Sequence, residues 1–385
     1  MTPVVVQAFR ACEEITVNAE TAETAERNLK NSLRALRASR SNVVSFGRLL
    51  RPARRALAVG LCGVLVFAQA TPAFAYLKFG VPVGDRQIVL KWARTPVRYF
   101  VTNQGAEMIA PIELQAAVAR AFATWQAVPA ASIAYQFVGF TNARPLEEDG
   151  QSTLGFVARP ELDRVLASTN FLVDVATGEL LESDIYFNSA FRWSVAPAGE
   201  SGRFDLESIA LHEIGHLSGL GHSALGETEL RAEGGRRVVA AESVMFPIAY
   251  PSGNISGRSL RDDDVAGISD IYPDNNFNAR TGSVSGTVTR NGRGVFGAHI
   301  VAFDLRTGSL VGNFSLNDQG RFSIAGLSPG PHVLRVEPLD DADIDSFFDV
   351  PAPVDLGFRP TFFDRLVVVP AGGDSGAVAI TVVGK

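Results

Sequence analysis

Cysteine is nearly absent. The 385 residues hold two, Cys12 and Cys62, and none after position 62. The rest of the chain therefore has no disulfide and no thiol catalysis. Histidine is almost as scarce, at five residues, so any grouping of it carries information. The apolar run Ala56–Ala68 has 13 residues, short of the ~20 a membrane-spanning helix needs. Low-complexity tracts are also missing, and 36 Gly with 20 Pro speak for many turns rather than disorder.

What is present at the N-terminus reads as an export signal. Arg48, Arg51, Arg54 and Arg55 precede the apolar run, and Thr71-Pro72-Ala73-Phe74-Ala75 ends in small-x-small. This order predicts a signal peptide cleaved after Ala75 and a secreted or periplasmic protein; an uncleaved anchor is the alternative. Residues 1–47, of mixed charge, are read as an extension, for which a start near Val43 or Val44 is one explanation. Residues 1–75 carry ten Lys/Arg and five Asp/Glu. The remainder then has 25 basic and 36 acidic residues, a net charge of −11, which argues against a nucleic-acid or anionic-membrane partner.

From 76 to 275 the pattern is mixed. Strands are expected at Val97–Val101, Ile133–Val138, Leu154–Val157 and Ile185–Phe187. Helices are expected over Ile112–Val128, with Leu114, Val118, Phe122 and Trp125 on one face, over Leu206–Leu220, capped by Asp205, and over Leu260–Tyr272, opened by Asp262, Asp263 and Asp264. Asp274–Gly282 reads as a polar linker. Residues 281–385 then show short alternating runs separated by turns such as Asn317-Asp318-Gln319-Gly320, the pattern of an all-β sandwich. The expected class is therefore α+β, a twisted mixed sheet with three helices, followed by a β-sandwich.

The informative stretch is His212-Glu213-Ile214-Gly215-His216-Leu217-Ser218-Gly219-Leu220-Gly221-His222. Residues four apart share a helix face, so His212 and His216 can reach one ion. Gly219 permits the left-handed backbone that turns the chain, and His222 can then close a triad. Three imidazoles leave a fourth zinc position for water, whose pKa the ion lowers to about 7. Glu213 is placed to take that proton and pass it to a leaving amine. Without the extension to Gly219 and His222, an H-E-x-x-H on an exposed helix could arise by chance. The remaining histidines, His299 and His332, read as ordinary strand residues.

This string resembles the metzincin signature, and Ser223 after the third His resembles the matrixin branch. Glu242-Ser243-Val244-Met245-Phe246-Pro247 is similar to the family's Met-turn, and Leu260 to Ile268 to its last helix, whose acidic pair falls on Asp263 and Asp264. Ala121 to Trp125 and Asp184 to Asn188 are similar to the first helix and a later strand. The resemblance implies one catalytic zinc, a structural role for Gly219, Met245, Pro247, Asp263 and Asp264, a protein or peptide substrate, and a cleft rim at Leu154, Gly155, Phe156 and Val157, with Tyr250 nearby. A plain interior strand is the other reading of 154–157. Three features depart from the family. No His precedes His212, and Phe156 and Tyr186 stand where two ligands of a second zinc are expected. The family's cysteine-bearing propeptide is missing from a chain that begins at Tyr76. The insertion Gly226–Glu242 lengthens the path from His222 to Met245 and borders the specificity pocket. Oxygen ligands at Asp174, Glu179, Glu182 and Asp184 make calcium a further candidate; solvated carboxylates are the alternative.

Residues 281–385 resemble the carboxypeptidase regulatory-like, transthyretin-like sandwich, through Gly282 to Val288, Asp318 to Phe322 and Leu327 to His332. That implies a binding or stabilising module with a surface or protein partner, and every catalytic candidate precedes it. The function expected is a secreted zinc endopeptidase that could act on extracellular matrix. The rivals are an adhesion protein on an inactive metzincin fold, and a zinc hydrolase of another substrate.

Overall fold

The computed structural model describes residues 6–16, 78–83, 86–106, 108–232, 235–348 and 353–385, with residues 6–16, 82, 83, 86 and 87 given by backbone alone. The basic cluster, the apolar run, Cys62 and the cleavage point after Ala75 lie outside the described residues. No helix among those described is long and apolar enough to cross a membrane.

The first layer is a six-stranded sheet in the order β1-β7-β8-β6-β4-β5. Its strands are β1 (Val6–Thr16), β4 (Val97–Thr102), β5 (Tyr135–Thr141), β6 (Thr153–Val157), β7 (Val165–Asp174) and β8 (Glu179–Asn188). The pairs β4–β5, β4–β6 and β6–β8 are parallel; β7 runs antiparallel to β8, and β1 antiparallel to β7. A hairpin of β2 (Gly80–Val83) and β3 (Arg86–Val89) closes one side, where Val81 and Leu90 pack on Phe171, Val173 and Leu180.

Helix α1 (Pro111–Gln126) begins with proline, whose missing N–H costs nothing there. Glu113 Oε2 accepts from the Ala110 N–H at 2.8 Å. Leu114, Ala117, Val118, Ala121, Phe122 and Trp125 recur at helical spacing and are all buried. The Trp125 indole N–H donates to Leu211 O at 2.7 Å, which fixes the next helix, α2 (Leu206–Leu217), against it. Asp205 caps α2 by accepting from Ser208 N at 2.9 Å, and Arg258 pairs with the same carboxylate. Ahead of this helix, β9 (Trp193–Ser194) and β10 (Phe204–Asp205) form a short parallel pair. From Ile209 to Leu217 every residue of α2 is buried. It is the central rod of the domain.

The insertion folds as a hairpin, β11 (Gly226–Leu230) with β12 (Arg236–Ala241). Helix α3 (Asp262–Ile271) follows, then α4 (Phe277–Arg280). Beyond it, β13 (Gly282–Arg290), β14 (Arg293–Gly294), β17 (Arg321–Leu327) and β21 (Asp374–Thr381) make one sheet. The other is made of β15 (His299–Asp304), β16 (Leu310–Phe314), β18 (Gly330–Glu337), β19 (Thr361–Phe362) and β20 (Val367–Val369). Val284, Val288, Phe322 and Ile324 from the first and Ile300, Ala302, Leu334 and Val336 from the second share one core.

The stretch expected as a polar linker is largely exposed, but it and the residues before it are anchored at several points. Phe277 is buried, Asp274 N donates to Ala130 O at 2.9 Å, and Ser132 N donates to Tyr272 O at 2.6 Å. Helix α3 serves both cores, Ile268 and Ile271 facing the first and Ala266 the second. A cavity of about 330 Å³ remains between α3, Phe277 and the sandwich residues Ala302, Val311 and Leu327.

Candidate metal centre

Helix α2 carries His212 and His216 on one face, one turn apart. It stops at Leu217, and Gly219 follows with φ of +97°. A side chain there would put its Cβ 2.5 Å from Leu90 O, so both the backbone angle and the contact require glycine. The reversal brings His222 back to the helix. His212 Nε2 lies 3.2 Å from His222 Nε2 and 2.9 Å from His216 Nε2. Zinc–nitrogen bonds of about 2.0–2.1 Å in a tetrahedron place ligand atoms roughly 3.3 Å apart, so this set fits a zinc ion.

The tautomers are set in the same way on all three rings. Each Nδ1–H donates to a backbone carbonyl: His212 to Val244 O at 2.7 Å, His216 to Leu220 O at 2.8 Å and His222 to Ser346 O at 2.6 Å. The Nε2 lone pairs are thereby left for the ion. Burial, with each ring at most 1% exposed, pushes the His212 imidazole down to about 4. The same burial, with repulsion from the neighbouring rings, holds His216 and His222 well below the usual range. Neutral imidazoles are the ligating form.

Glu213 is fully buried beside the triad, and its Oε2 accepts from the Thr169 hydroxyl on β7 at 2.6 Å. Met245 lies beneath the helix; a Cβ on Gly215 would come within 2.2 Å of its sulfur. Asp264 holds the Met245 turn: its oxygens accept from Ser243 Oγ at 2.5 Å, Val244 N at 2.9 Å, Met245 N at 3.3 Å and Arg261 N at 2.8 Å. Burial raises its carboxyl above the usual range against these donors. Asp263 accepts from Ser223 Oγ at 2.7 Å and Gly312 N at 2.9 Å. Burial and the adjacent Asp264 push it up to about 7. Pro247 is buried just past this turn. Tyr250 OH accepts from Ala241 N at 3.1 Å. A cavity of about 50 Å³ opens beside His212, walled by Ile209, Val244, Phe246, Ile248 and Tyr250.

The segment read as a cleft rim is a strand of the large sheet. Leu154–Val157 lie on β6, which is hydrogen-bonded to β4 on one side and β8 on the other. The β4 pairing covers Thr153 and Leu154, whereas β8 pairs with Leu154 through Val157. The strand beside Glu213 is β7, which the sequence pattern does not reveal. The loop leading into it is held by Asn188 Nδ2, which donates to Arg159 O, Leu162 O and Val165 O at 2.9, 3.1 and 3.0 Å.

Phe156 packs on Phe187 and Trp193, and the Arg159 guanidinium lies over Tyr186. Glu182 and Asp184 direct oxygens to backbone donors, the N–H groups of Gly150, Leu146 and Thr153. Among the described residues the histidine triad is the one group of three His, Cys, Asp or Glu close enough to share an ion.

A helix with two histidines one turn apart, a glycine reversal to a third and a methionine turn beneath define a metzincin-type centre. Residues 91–273 match the family model described as Matrixin, and this part of the chain is a matrixin-like metzincin domain. It is similar to Metalloendoproteinase 1 of Glycine max, 30% identical over 175 residues, covering 41% of this chain and 45% of that protein. Metalloendoproteinase 2-MMP of Arabidopsis thaliana is 39% identical over 97 residues, 24% of this chain and 21% of that protein. Matrix metalloproteinase-23 of Homo sapiens is 28% identical over 148 residues, 36% of each. The chain thus spans less than half the length of these curated relatives.

Proposed function

We propose that this protein is an exported zinc endopeptidase, with His212, His216 and His222 as metal ligands and Glu213 as general base. The observation that carries the reading is the convergence of three buried histidines, their ligand atoms all within 4.8 Å of one another, beside a buried carboxylate. Zinc bound there supplies a Lewis acid that polarises the scissile carbonyl and acidifies water. Glu213 accepts the proton of the attacking water and delivers it to the departing amine. Thr169 holds Glu213 in place for both transfers. The cavity beside His212 takes an apolar side chain of the substrate. Export through a signal ending at Ala75 belongs to the same reading. So does a sandwich of the carboxypeptidase regulatory-like kind that meets a surface or protein partner.

The rival, an inactive adhesion protein, has less support: Glu213 is retained and hydrogen-bonded, which a binding scaffold does not need. Glu213→Gln separates the two. The variant should keep one zinc per chain and lose about 10²–10⁴-fold in casein or peptide hydrolysis. Wild type should lose activity to a chelator and regain it with zinc. A wild-type protein that holds zinc but cleaves nothing in a peptide library would support the adhesion reading.

A further inference from the structure

The three ligand histidines differ in where their carbonyl partners come from. Val244 and Leu220 belong to the metzincin domain itself. Ser346 stands 124 residues after His222, in the turn Ile344–Ser346 between β18 and β19 of the sandwich. We infer that the sandwich is a working part of the metal centre, with this turn as the positioning element for His222. The inference rests on the zinc reading above and deepens it.

Independent contacts converge on the same segment. Gly312 N of β16 donates to Asp263, whose other oxygen accepts from Ser223, the residue after His222. Phe314, Leu339 and Phe347 of the sandwich form one buried cluster with Ala224. Asp341 anchors the start of the turn to the insertion hairpin: Thr228 N donates to Asp341 Oδ1 at 2.8 Å, and Thr228 Oγ1 donates to Asp341 O at 2.8 Å. Residues 222–225 are thus gripped from the sandwich side by hydrogen bonds and by packing. Inside the turn, Ser346 N donates to Asp343 O and Phe347 N to Ile344 O, both at 3.0 Å. These bonds fix the direction of the Ser346 carbonyl.

The chemistry follows from the donor. An imidazole whose Nδ1–H is held by a carbonyl keeps its Nε2 lone pair aimed and is a stronger ligand; loss of such a partner typically costs about 10–100-fold in metal affinity. The insertion, the turn and the third ligand then form one chain of contacts: Thr228 to Asp341, the turn to Ser346, and Ser346 to His222. A catalytic half cut off before the sandwich would hold His222 less firmly.

The test uses the full chain. One variant deletes Ile344–Ser346; a second is Asp341→Ala, with Asp341→Asn as its conservative partner, which keeps an acceptor for Thr228 N–H. Zinc affinity is read by chelator competition, ligand geometry by the visible spectrum of the cobalt(II) form, and folding by the unfolding midpoint of the metal-free protein. The deletion should weaken zinc by about 10–100-fold and alter the cobalt spectrum while the metal-free midpoint stays near wild type. Asp341→Ala should weaken zinc several-fold, and Asp341→Asn should restore it. Wild-type affinity and spectrum in the deletion, or in Asp341→Ala should the deletion not fold, would overturn the inference. Failure of the underlying zinc reading looks different: wild type itself would bind no zinc.

Discussion

The Thr169 hydroxyl donates to Glu213 Oε2 at 2.6 Å, and Thr169 Oγ1 also lies 3.1 Å from the Glu213 backbone carbonyl oxygen. One side chain of β7 therefore ties the proposed base to the strand that flanks it. A hydrogen bond to a charged group is worth about 1.5–3 kcal/mol, and 1.4 kcal/mol is about tenfold in rate. Thr169→Val keeps the shape and removes the donor. It should lower kcat about tenfold with KM little changed, and Thr169→Ser should recover most of it. An unchanged kcat in the valine variant would mean that Glu213 does not depend on this bond.

The same pair marks the limit of what the sequence discloses. Helix α2 is legible because Asp205, the apolar spacing and the histidine spacing all point to one helix; the structure ends it at Leu217, three residues before the expected Leu220, since Gly219 breaks the backbone there. Strand β7 is not legible. Ser168, Thr169 and Asn170 interrupt its apolar run, and Thr169 is polar because Glu213 needs a donor. Nor does the run Leu154–Val157 disclose its place in the sheet, because a short apolar run looks alike at an edge and in the interior. Ser346 leaves no trace at all, because it acts through a backbone carbonyl and is brought in by tertiary packing.

Gly219 separates two costs that glycine substitutions usually mix. Gly219→Ala meets a left-handed backbone, worth about 1–2 kcal/mol, and also a clash with Leu90 O. Gly202 has φ of +75° with open space around it, so Gly202→Ala carries the backbone cost alone. The first variant should be destabilised by more than the second in denaturant unfolding. Only the first should also weaken zinc, because His222 follows that reversal. Equal losses in the two would show that the Leu90 contact relaxes freely.

Asp184 gives a pH-dependence away from the metal. Burial pushes its carboxyl up to about 7, against the pull of the Thr153 and Leu146 N–H groups. The unfolded value is about 3.9. Between these values the folded protein binds the extra proton, so stability is greatest below about pH 4 and falls as pH rises towards 7. At about 1.4 kcal/mol per pH unit the upper limit is about 4 kcal/mol. Asp184→Asn cannot titrate. Wild type should hold its greatest advantage over the variant below about pH 4 and lose ground to it steadily up to pH 8, measured by urea midpoints. A wild type that gains on the variant as pH rises would show that the two N–H donors outweigh burial.

The outer edge of β7 is covered by β1, with Phe9 opposite Phe171, Arg10 opposite Asn170 and Glu14 opposite Ser168. Thr169 sits where that ladder shifts register, so β1 passes the strand position that holds the base. An antiparallel edge beside the base is where an extended peptide would add through backbone hydrogen bonds. For a peptide adding at that edge, β1 of the uncleaved chain would be a tethered competitor, with an effective concentration on the order of millimolar. A chain beginning at Tyr76 should therefore show a KM several-fold below that of the full 385 residues, with kcat for the bound peptide little changed. A synthetic peptide of residues 6–16 should inhibit the shorter chain competitively. Identical KM values for the two chains, with no inhibition by the peptide, would mean that substrate does not use the β7 edge.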